Sequence, residues 1–491
     1  MNNKIDEITS RKERLEALKK ANINPYPSKS ERTHFIGEIL EDQKNFVKKG
    51  KKVTLVGRLR SLRKQGGSTF ANIEDDTGNF QIYFKKDEVK EKAYKEMKDF
   101  LDVGDFVQVE GKLFETKKGE PTLLIKKWTL LSKALRPLPE KWHGLQDIEA
   151  RFRKRYLDLI SNENVKNTFI TRAMAISSIR KFLDERGFLE VETPILQPLA
   201  GGALAKPFVT HHNALDNDFF LRIAPELYLK RLVVGGYERV YEIGRCFRNE
   251  GIDWGHNPEF TMLEFYQAYM DYEGMMDLIE DFIIHIVKSV MDSKEVEYQG
   301  QKIKFKKSFK RITFRKALID SANIDIEAYP DQKSIYNKAK ELELKDVSPK
   351  DSRGKICDEM YKEFVRPNLV QPTFVTEHPF ELSPLSKKKQ DNEKYVERFQ
   401  LVCGGGIELV NAFSELNDPV DQLERFNMQQ EAFLAGDEEA HPIDMDFIEA
   451  LEHGMPPTAG MGMGIDRLVG LLTDQRNIKE SILFPTLRPK E

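Results

Sequence analysis

Residues 247–260 read FRNEGIDWGHNPEF, a Gly-containing turn that carries arginine, glutamate, histidine and two phenylalanines. The residues before it, GYERVYEIGRCFRNE (236–250), and those after it, EFTMLEFYQAY (259–269), have the composition of strands and predict a β-hairpin. Side chains alternate between the faces of a strand, so the outgoing strand has a polar, aromatic face and an apolar face. The first carries Phe260, Met262, Glu264 and Tyr266, and the second carries Leu263 and Phe265.

The polar face of this hairpin predicts a surface for a charged ligand. On the incoming strand Cys246, Arg248 and Glu250 share a face, which adds charges of both signs. Burying two glutamates and an arginine without partners is unfavourable by several kcal/mol, and a charged ligand would supply those partners. The alternative is a ladder of salt bridges on the protein surface.

A second candidate site is AGMGMGIDRLVGLL (459–472), where Gly460, Gly462 and Gly464 alternate. On a strand they leave one face as bare backbone, so that a flat group can approach closely. A helix then begins near Asp466, and a helix N-terminus favours anions. The spacing is not GxGxxG, which excludes a dinucleotide-binding interpretation, and a tightly packed strand is the alternative.

A third candidate site is GGGIELVNAFSELND (404–418), in which Asn411, Phe413 and Glu415 share strand parity. A carboxylate, an amide and an aromatic ring suit a ligand with an aliphatic stem and a cationic tip. Glu408 has the opposite parity and joins them only through a bulge, which the glycine run favours. An edge strand with exposed polar residues is the alternative.

The N-terminal part of the chain predicts a small β-barrel. Five strand-like runs follow one another: KVTLVGRLRSL (52–62), TFANIED (69–75), NFQIYF (79–84), DFVQVEGKLF (105–114) and PTLLIKKWTL (121–130). A helical stretch at 85–100 separates the third run from the fourth. Three strands, a helix and two strands is the order of an OB barrel, although other small barrels share it.

The rest of the chain predicts an α+β domain. Strands and helices follow no βαβ alternation, so a doubly wound parallel sheet is not expected. The predicted organisation is an N-terminal helical segment at 1–50, a barrel domain at 51–135, a linker at 136–160 and a large domain at 161–491. Within the large domain, Lys/Glu-rich residues 325–366 predict a helical insertion.

Composition narrows the class of protein and its compartment. The chain has 491 residues, 40% hydrophobic and 32% charged, with a net charge of −3. It lacks an apolar run of membrane-spanning length and a signal peptide, and its three cysteines form no CxxC pair, which predicts a cytoplasmic protein without membrane attachment. Residues 1–64 hold 17 Lys/Arg against 8 Asp/Glu, which indicates either a nucleic-acid partner or a solvated face.

A fourth motif, RGFLEVETPIL (186–196), predicts a strand that reaches an edge or interface at Pro194. In order, RGFLEVETP, FRNE…HNPEF and GMGMGIDRL resemble the three signature motifs of class II aminoacyl-tRNA synthetases. With an N-terminal OB domain the chain is similar to the aspartate/asparagine/lysine subgroup. GGALAKPFVTHHNALDNDFFLRIAPELYLKRLVVGG (201–236) and ELVNAFSELNDP (408–419) resemble lysyl-tRNA synthetases, and the resemblance covers nearly the whole chain.

The resemblance implies a catalytic domain built on an antiparallel sheet. It also implies ATP-dependent ligation of L-lysine to tRNA(Lys) through a lysyl-adenylate, with release of AMP and diphosphate. Mg²⁺ is the implied cofactor. The implied partners are tRNA(Lys), L-lysine, ATP and a second copy of the chain, paired through the RGFLEVETP strand; DNA is not expected as a partner.

By resemblance, the hairpin binds ATP and the catalytic residues are Arg248 and Arg467. Arg248 is implied to hold the α-phosphate and the lysine carboxylate, and Arg467 to clamp the γ-phosphate and adenine from the opposite side. The remaining implied ATP-binding residues are Glu250 at the adenine edge, Phe260 stacked on the ring, His256 near the outer phosphates, Glu408 and Gly464.

The resemblance also implies how lysine is selected. The α-amino group meets Gly202, Glu226 and Glu264; the ε-ammonium meets Tyr266 and Glu415; Phe413 lines the stem and Asn411 assists. A pocket with this many carboxylates repels aspartate. Aspartyl and asparaginyl relatives usually have Gln at the position of Glu226.

In the barrel, Phe70, Gln81 and Glu120 stand where the family contacts anticodon bases. Stacking a base on an aromatic ring contributes about 1–3 kcal/mol. The implied anticodon is the U-rich one for lysine.

The implied metal site departs from the family pattern. Two acidic residues normally hold magnesium; here Glu408 matches one, but Gln400 replaces the other and an extra residue precedes Glu408. Gly255 also stands where bacterial relatives often carry Arg before the histidine.

Three other functions remain open at this stage. Within the fold, the alternative is an aspartyl- or asparaginyl-tRNA synthetase. A binding module with an inactive synthetase-like domain is opposed by the complete set of Arg248, Glu250, Phe260 and Arg467. A lysyl-transferase that modifies a protein is opposed by the OB domain, which such relatives lack.

Overall fold

The computed structural model describes residues 2–139, 145–203, 205–434 and 442–489. The chain forms two compact units, Met1–Gly144 and Leu145–Glu491. Part of the predicted linker, at 140–144, lies outside the described residues. The predicted limits of the barrel domain, the linker and the large domain stay predictions.

The first unit is a five-stranded barrel with helices. Its elements are α1 (Asn2–Lys20), α2 (Ile36–Glu41), α3 (Gln43–Lys49), β1 (Lys52–Gln65), β2 (Ser68–Asp75), β3 (Gly78–Lys85), α4 (Lys86–Val89), α5 (Glu91–Phe100), β4 (Phe106–Glu115) and β5 (Pro121–Ser132). The strands close in the order β1-β2-β3-β5-β4, which confirms the predicted OB barrel.

The alternation of side chains explains the barrel. Ala71, Ile73 and Ile82 are buried inside it, and the intervening residues of β2 and β3 point outward. The turn between these strands forms because Asp75 Oδ1 accepts a hydrogen bond from the Thr77 backbone at 2.8 Å.

The second unit is built on one large sheet. Its elements are α6 (Ile148–Arg153), α7 (Arg155–Ser161), α8 (Glu163–Asp184), β6 (Leu189–Glu190), β7 (Leu196–Gln197), β8 (Val209–His212), β9 (Asn217–Leu221), α9 (Glu226–Val234), β10 (Arg239–Phe247), β11 (Glu259–Ala268), α10 (Tyr272–Met291), β12 (Glu295–Tyr298), β13 (Gln301–Lys304), β14 (Lys310–Thr313), α11 (Phe314–Ala322), α12 (Gln332–Glu341), α13 (Arg353–Phe364), β15 (Thr373–Pro379), β16 (Tyr395–Cys403), β17 (Ile407–Ser414), α14 (Pro419–Leu434), α15 (Met445–Glu452), β18 (Thr458–Gly464) and α16 (Ile465–Leu472). Short 3₁₀ helices lie at Ile326–Ala328, Arg366–Asn368, Phe380–Leu382 and Ile478–Ser481.

The sheet has the strand order β14-β15-β16-β17-β18-β11-β10-β6. Neighbours from β15 to β10 are antiparallel, and each terminal pair is parallel, which confirms the predicted α+β class on an antiparallel sheet. One face packs against α8, α10 and α16, where Leu263 and Phe265 enter the main core as predicted.

The predicted strand at RGFLEVETPIL is much shorter than the sequence indicated. β6 contains only Leu189 and Glu190, paired in parallel with β10. Its backbone pairing with β10 ends with the Val191 amide, which donates to the Tyr241 carbonyl at 2.9 Å. The amide and the hydroxyl of Thr193 instead donate to the Glu242 side chain, at 3.2 and 2.6 Å. The chain therefore leaves the sheet before Pro194.

The predicted insertion at 325–366 contains α12 and α13, which pack with α11 in a core of their own around Ile335, Ile356 and Met360. Capping side chains set the helix starts, for example Ser352, which accepts a hydrogen bond from the Lys355 amide at the start of α13. Among the described residues, no helix is both long and apolar enough to cross a bilayer.

Candidate active site

A cavity of about 420 Å³ lies on the face of the sheet opposite the main core. Most of the residues predicted to bind ATP or lysine line it. They are Gly202, Glu226, Arg248, Glu250, His256, Phe260, Glu264, Tyr266, Glu408, Asn411, Phe413, Gly464 and Arg467. Glu415 and Gln400 are buried in the wall without lining the cavity.

The hairpin opens at the cavity sooner than the sequence indicated. β10 ends at Phe247, and the Arg248 amide still donates to Pro258 at 2.9 Å. Pro258 has no N–H group and cannot donate a second hydrogen bond to β10. The Asn249 amide donates instead to the Lys206 carbonyl at 2.7 Å. Arg248 thus stays in the ladder, whereas Glu250 lies in the loop rather than on the predicted strand face.

Arg248 and Phe260 form one surface of the cavity. The guanidinium carbon of Arg248 lies 5.2 Å from the Phe260 ring centroid, a cation–π arrangement. The buried Arg248 Nε has no hydrogen-bond partner in the protein, so a donor is available to an anion. Nearby, His256 is exposed and its Nδ1 lies 2.9 Å from Asp253 Oδ2.

Arg467 enters from the opposite side, on the first turn of α16. The neighbouring Asp466 is buried and fixes that turn, since it accepts hydrogen bonds from the Thr261 amide at 2.8 Å and from Arg172 at 2.6 Å. Arg467 Nη1 donates to the Glu408 carbonyl at 3.3 Å. Arg248 and Arg467 therefore both line the cavity.

The bulge that Glu408 required is present in β17. Val402 pairs with Glu408 while Leu401 pairs with Val410, so Leu409 is an extra residue. The bulge puts Glu408 on the cavity face with Asn411. The preceding glycines, 404 to 406, all have positive φ angles, which explains the local demand for glycine.

At the far end of the cavity, Glu226 and Glu415 share a buried lysine that sequence reasoning missed. Lys230 Nζ lies 2.6 Å from Glu226 Oε1 and also forms an ion pair with Glu415 Oε2. That second contact lacks hydrogen-bond geometry, and both Glu415 oxygens are buried without a hydrogen-bond partner. Burial raises the pKa of Glu226 and Glu415.

Glu264 is a third buried carboxylate of this group. Its Oε2 accepts a hydrogen bond from the Tyr266 hydroxyl at 2.9 Å. Burial, and then the charge of Glu226, raise the pKa of Glu264 to about 8. The polar face of the hairpin is therefore buried, and the alternative of an exposed salt-bridge ladder is wrong here.

The alternating glycines 460, 462 and 464 line the cavity, and the first of them also makes room for neighbouring side chains. A Cβ at Gly460 would overlap Glu415 Oε1 and the Tyr266 ring. At Gly462 the nearest atom is Glu264 Cγ, at 3.8 Å. β18 lies between β11 and β17, so these glycines let side chains of both neighbours meet above it.

Arg398 is a second residue that sequence reasoning missed. It lines the cavity from β16, and its Nε donates to Asn411 Oδ1 at 2.8 Å. This bond turns the Asn411 oxygen toward Arg398 and leaves the amide hydrogens as donors, with one further acceptor position on the oxygen. No sequence motif indicated this bond, because Arg398 and Asn411 are paired only across neighbouring strands.

The predicted anticodon residues lie on the outside of the barrel. Phe70 stacks on Tyr83, with ring centroids 4.4 Å apart. Gln81 Nε2 donates to Thr122 Oγ1 at 2.8 Å, and that hydroxyl donates to the Glu120 carbonyl at 3.1 Å. Phe70 pairs with Tyr83 across β2 and β3, and Thr122 links Gln81, also on β3, to Glu120.

Oxygen donors at the predicted metal site are few. Over the residues that the structure describes, no group of three or more His, Cys, Asp or Glu is arranged to hold a metal ion. Glu408 faces the cavity, 3.7 Å from Arg366. Gln400 is buried on β16, and its Oε1 accepts no hydrogen bond.

Comparison with known proteins identifies the family and agrees with the fold. The family described as tRNA synthetases class II (D, K and N) matches residues 147–488, and the OB-fold nucleic acid binding domain matches residues 53–131. A lysine–tRNA ligase of Carboxydothermus hydrogenoformans is 51% identical over 99% of the chain and 98% of its own length. Those of Moorella thermoacetica and Roseiflexus castenholzii are 50% and 49% identical, over 99% and 97% of the chain and 98% of each relative. The chain therefore belongs to the class II tRNA synthetases of the aspartate, lysine and asparagine group, in the lysine–tRNA ligase family.

Proposed function

We propose that the cavity joins L-lysine to tRNA(Lys) at the expense of ATP, through a lysyl-adenylate. The main support for this proposal is the group of three buried carboxylates, Glu226, Glu264 and Glu415, beside the cavity that Arg248 and Arg467 line. An amino acid with two ammonium groups and a carboxylate complements both halves. Aspartate, with two carboxylates, would be repelled by the first half.

The three carboxylates bind the two ammonium groups of lysine. Glu226 and Glu264, with Gly202, receive the α-ammonium, and Glu415 with Tyr266 receives the ε-ammonium. Phe413 lines the aliphatic stem. Glu415 Oε1 supports this assignment, because it is buried with no hydrogen bond and the ion pair with Lys230 uses the other oxygen, so a substrate ammonium can supply its donor.

Asn411 takes a narrower role than the resemblance alone suggested. An ammonium only donates hydrogen bonds, and the Asn411 oxygen already accepts one from Arg398, a cation that disfavours a second cation beside it. We assign the Asn411 amide hydrogens to an oxygen of the lysine carboxylate or the α-phosphate.

The first chemical step requires charge compensation and alignment. A lysine carboxylate oxygen attacks the α-phosphorus in line, the bond to the bridging oxygen breaks, and diphosphate leaves. Arg248 binds both the lysine carboxylate and the α-phosphate, and Arg467 binds the γ-phosphate. Fixed positive groups in a partly enclosed site stabilise the charge that develops, so no covalent enzyme intermediate is required.

The remaining ATP contacts follow from the same placement. Phe260 offers a ring face to adenine, Glu250 its polar edge, and His256 lies near the outer phosphates. Gly464 lines the cavity where α16 begins. In the second step a terminal ribose hydroxyl of the tRNA attacks the lysyl carbonyl, and AMP leaves.

The donors present fit magnesium in combination with ATP. Mg²⁺ prefers oxygen ligands and is commonly bound through one or two carboxylates plus substrate phosphates. Glu408 would supply the carboxylate, and the unpartnered Gln400 Oε1 is a candidate second donor. When bound, the ion compensates phosphate charge.

Three further assignments complete the proposal. The Phe70, Gln81 and Glu120 surface binds the anticodon, since stacked aromatics and polar groups on an OB barrel suit single-stranded bases. The chain acts as a homodimer through the segment around Pro194. It works in the cytoplasm, consistent with three free cysteines.

ATP–pyrophosphate exchange with each of the twenty amino acids tests the function. We expect exchange with lysine alone, followed by charging of tRNA(Lys) when tRNA is added. Exchange with aspartate or asparagine would assign the alternative within the fold. Absence of exchange with any amino acid would favour a binding module.

A further inference from the structure

Lys230 is a fully buried cation in the wall of the lysine pocket. It lies on α9, one turn after Glu226, and its side chain has no exposed surface. A pair four residues apart on an exposed helix surface contributes little to stability. A buried ammonium is different, because it is strongly unfavourable unless carboxylates and hydrogen bonds surround it.

The surroundings of Lys230 are the groups that select the substrate. Its Nζ contacts Glu226 at 2.6 Å and forms an ion pair with Glu415, and it lies 5.5 Å from the Phe413 ring centroid. The other titratable or charged groups that influence this cluster come from neighbouring elements. They are Glu242 on β10, Glu264 and Tyr266 on β11, and Arg398 on β16.

We infer that Lys230 is a positioning residue for lysine selection, a built-in ammonium that joins Glu226 to Glu415 and favours the ionised form of both carboxylates in the wall of the pocket. The inference rests on the proposed function, in which Glu226 receives the substrate α-ammonium and Glu415 the ε-ammonium. Lys230 thereby links the two ends of the substrate through one fixed charge.

The electrostatics of the cluster give the reason. Three buried carboxylates close together favour the neutral acid, because burial and like charges both disfavour ionisation. Burial raises the pKa of Glu226 and of Glu415, and Lys230 is the strongest influence that lowers each. Without this cation the acid form persists to higher pH, and a neutral carboxyl binds an ammonium more weakly.

The test compares Lys230→Met, Lys230→Gln and Lys230→Arg with the wild-type protein in lysine-dependent ATP–pyrophosphate exchange from pH 6.5 to pH 9. Met removes the cation at similar length. Gln also removes it but can donate to both carboxylates, so it carries the test if the Met variant does not fold. Arg keeps the charge.

We expect Met and Gln to lower kcat/KM for lysine at least about tenfold at pH 7, relative to the wild-type protein. The deficit should shrink toward pH 9, and KM for ATP should stay unchanged. Arg should keep the wild-type pH profile even where its kcat is lower. A deficit that is equal at every pH, or a shifted profile for Arg, would overturn the inference.

Lys133→Met is the matched control. Lys133 is also fully buried between two carboxylates, Asp102 and Asp105, but it belongs to the barrel unit. Its loss should lower the stability of that unit without changing the pH profile for lysine. Lack of lysine exchange in the wild-type protein would refute the proposed function itself, which separates the two failures.

Discussion

Under the proposed function, Glu415 is the carboxylate on which recognition of the ε-ammonium depends most. Glu415→Gln keeps the shape and removes the charge. Losing one partner of a buried charged pair typically costs about 2–5 kcal/mol. We therefore expect lysine-dependent pyrophosphate exchange to fall at least about thirtyfold in kcat/KM while KM for ATP holds.

The control for this substitution is the selectivity among lysine homologues. One methylene contributes only about 1–3 kcal/mol, so shorter or longer homologues should be rejected less sharply once the charge is gone. Wild-type lysine dependence in the Glu415→Gln protein would mean that the ε-ammonium is recognised elsewhere, and the pocket assignment would have to be abandoned.

Gly460 and Gly462 offer a matched pair for the packing of the pocket wall. A methyl group at Gly460 overlaps Glu415 and Tyr266, whereas at Gly462 it meets only an ordinary contact 3.8 Å away. Overpacking typically destabilises a protein by about 1–3 kcal/mol. We expect urea unfolding without substrates to show that loss for Gly460→Ala and little change for Gly462→Ala; equal stabilities would contradict the packing described.

Glu264 should make lysine binding sensitive to pH. Its pKa of about 8 lies well above the usual carboxyl range, so the group is largely protonated in the free protein at pH 7. An ammonium beside it favours the ionised form, and binding must then release a proton. Lysine affinity should rise with pH up to about 8.

Calorimetry in buffers of different ionisation enthalpy measures this release. We expect proton release on lysine binding at pH 7 that is reduced in Glu264→Gln, which has no proton to lose. The same shift predicts that the Glu264 carboxyl lowers folding stability as pH rises from about 4.5 to about 8, because the unfolded state ionises first. Release unchanged by the substitution would assign the proton to another group.

Among the elements, those with a strong local pattern were predictable and those fixed by partners were not. The barrel strands and the faces of β11 followed from alternation. The bulge at Leu409 followed from the parity of Glu408 beside three glycines. The two-residue length of β6 did not follow from the sequence, because it depends on the hydrogen bond between Thr193 and Glu242.

On the barrel, the outward-facing stack of Phe70 and Tyr83 should bind a base. Phe70→Ala removes a stacking surface that contributes about 1–3 kcal/mol, so tRNA charging should weaken by about fivefold or more while pyrophosphate exchange stays near wild type. Phe80→Ala, inside the barrel, is the contrast and should instead destabilise that unit. Equal losses in both assays for Phe70→Ala would mean that Phe70 is only structural.

For the whole molecule, the order of the motifs predicted the organisation in two units. It also predicted most of the residues that line the cavity, because those residues lie within recognisable motifs. Lys230 lay inside a quoted motif but was not singled out, since Glu and Lys four residues apart usually form an exposed pair. Arg398 had no local signal. Their surroundings depend on packing between elements that are distant in the sequence, and the sequence alone does not indicate this packing.

The proposed homodimer belongs to the scale of the whole molecule. Around Pro194, Ile195 and Leu196 are 43% and 49% exposed, and Leu199 is 37% exposed, which leaves several large apolar side chains uncovered in one segment. Such a group favours association, because a partner would remove its apolar surface from water.

Pro194→Lys introduces a charge there and should shift the protein toward the monomer with reduced exchange activity. Sedimentation velocity over a range of concentrations measures the shift. Lys294→Ala, on a different surface, serves as the control, and a wild-type protein that sediments as an active monomer would refute the dimer.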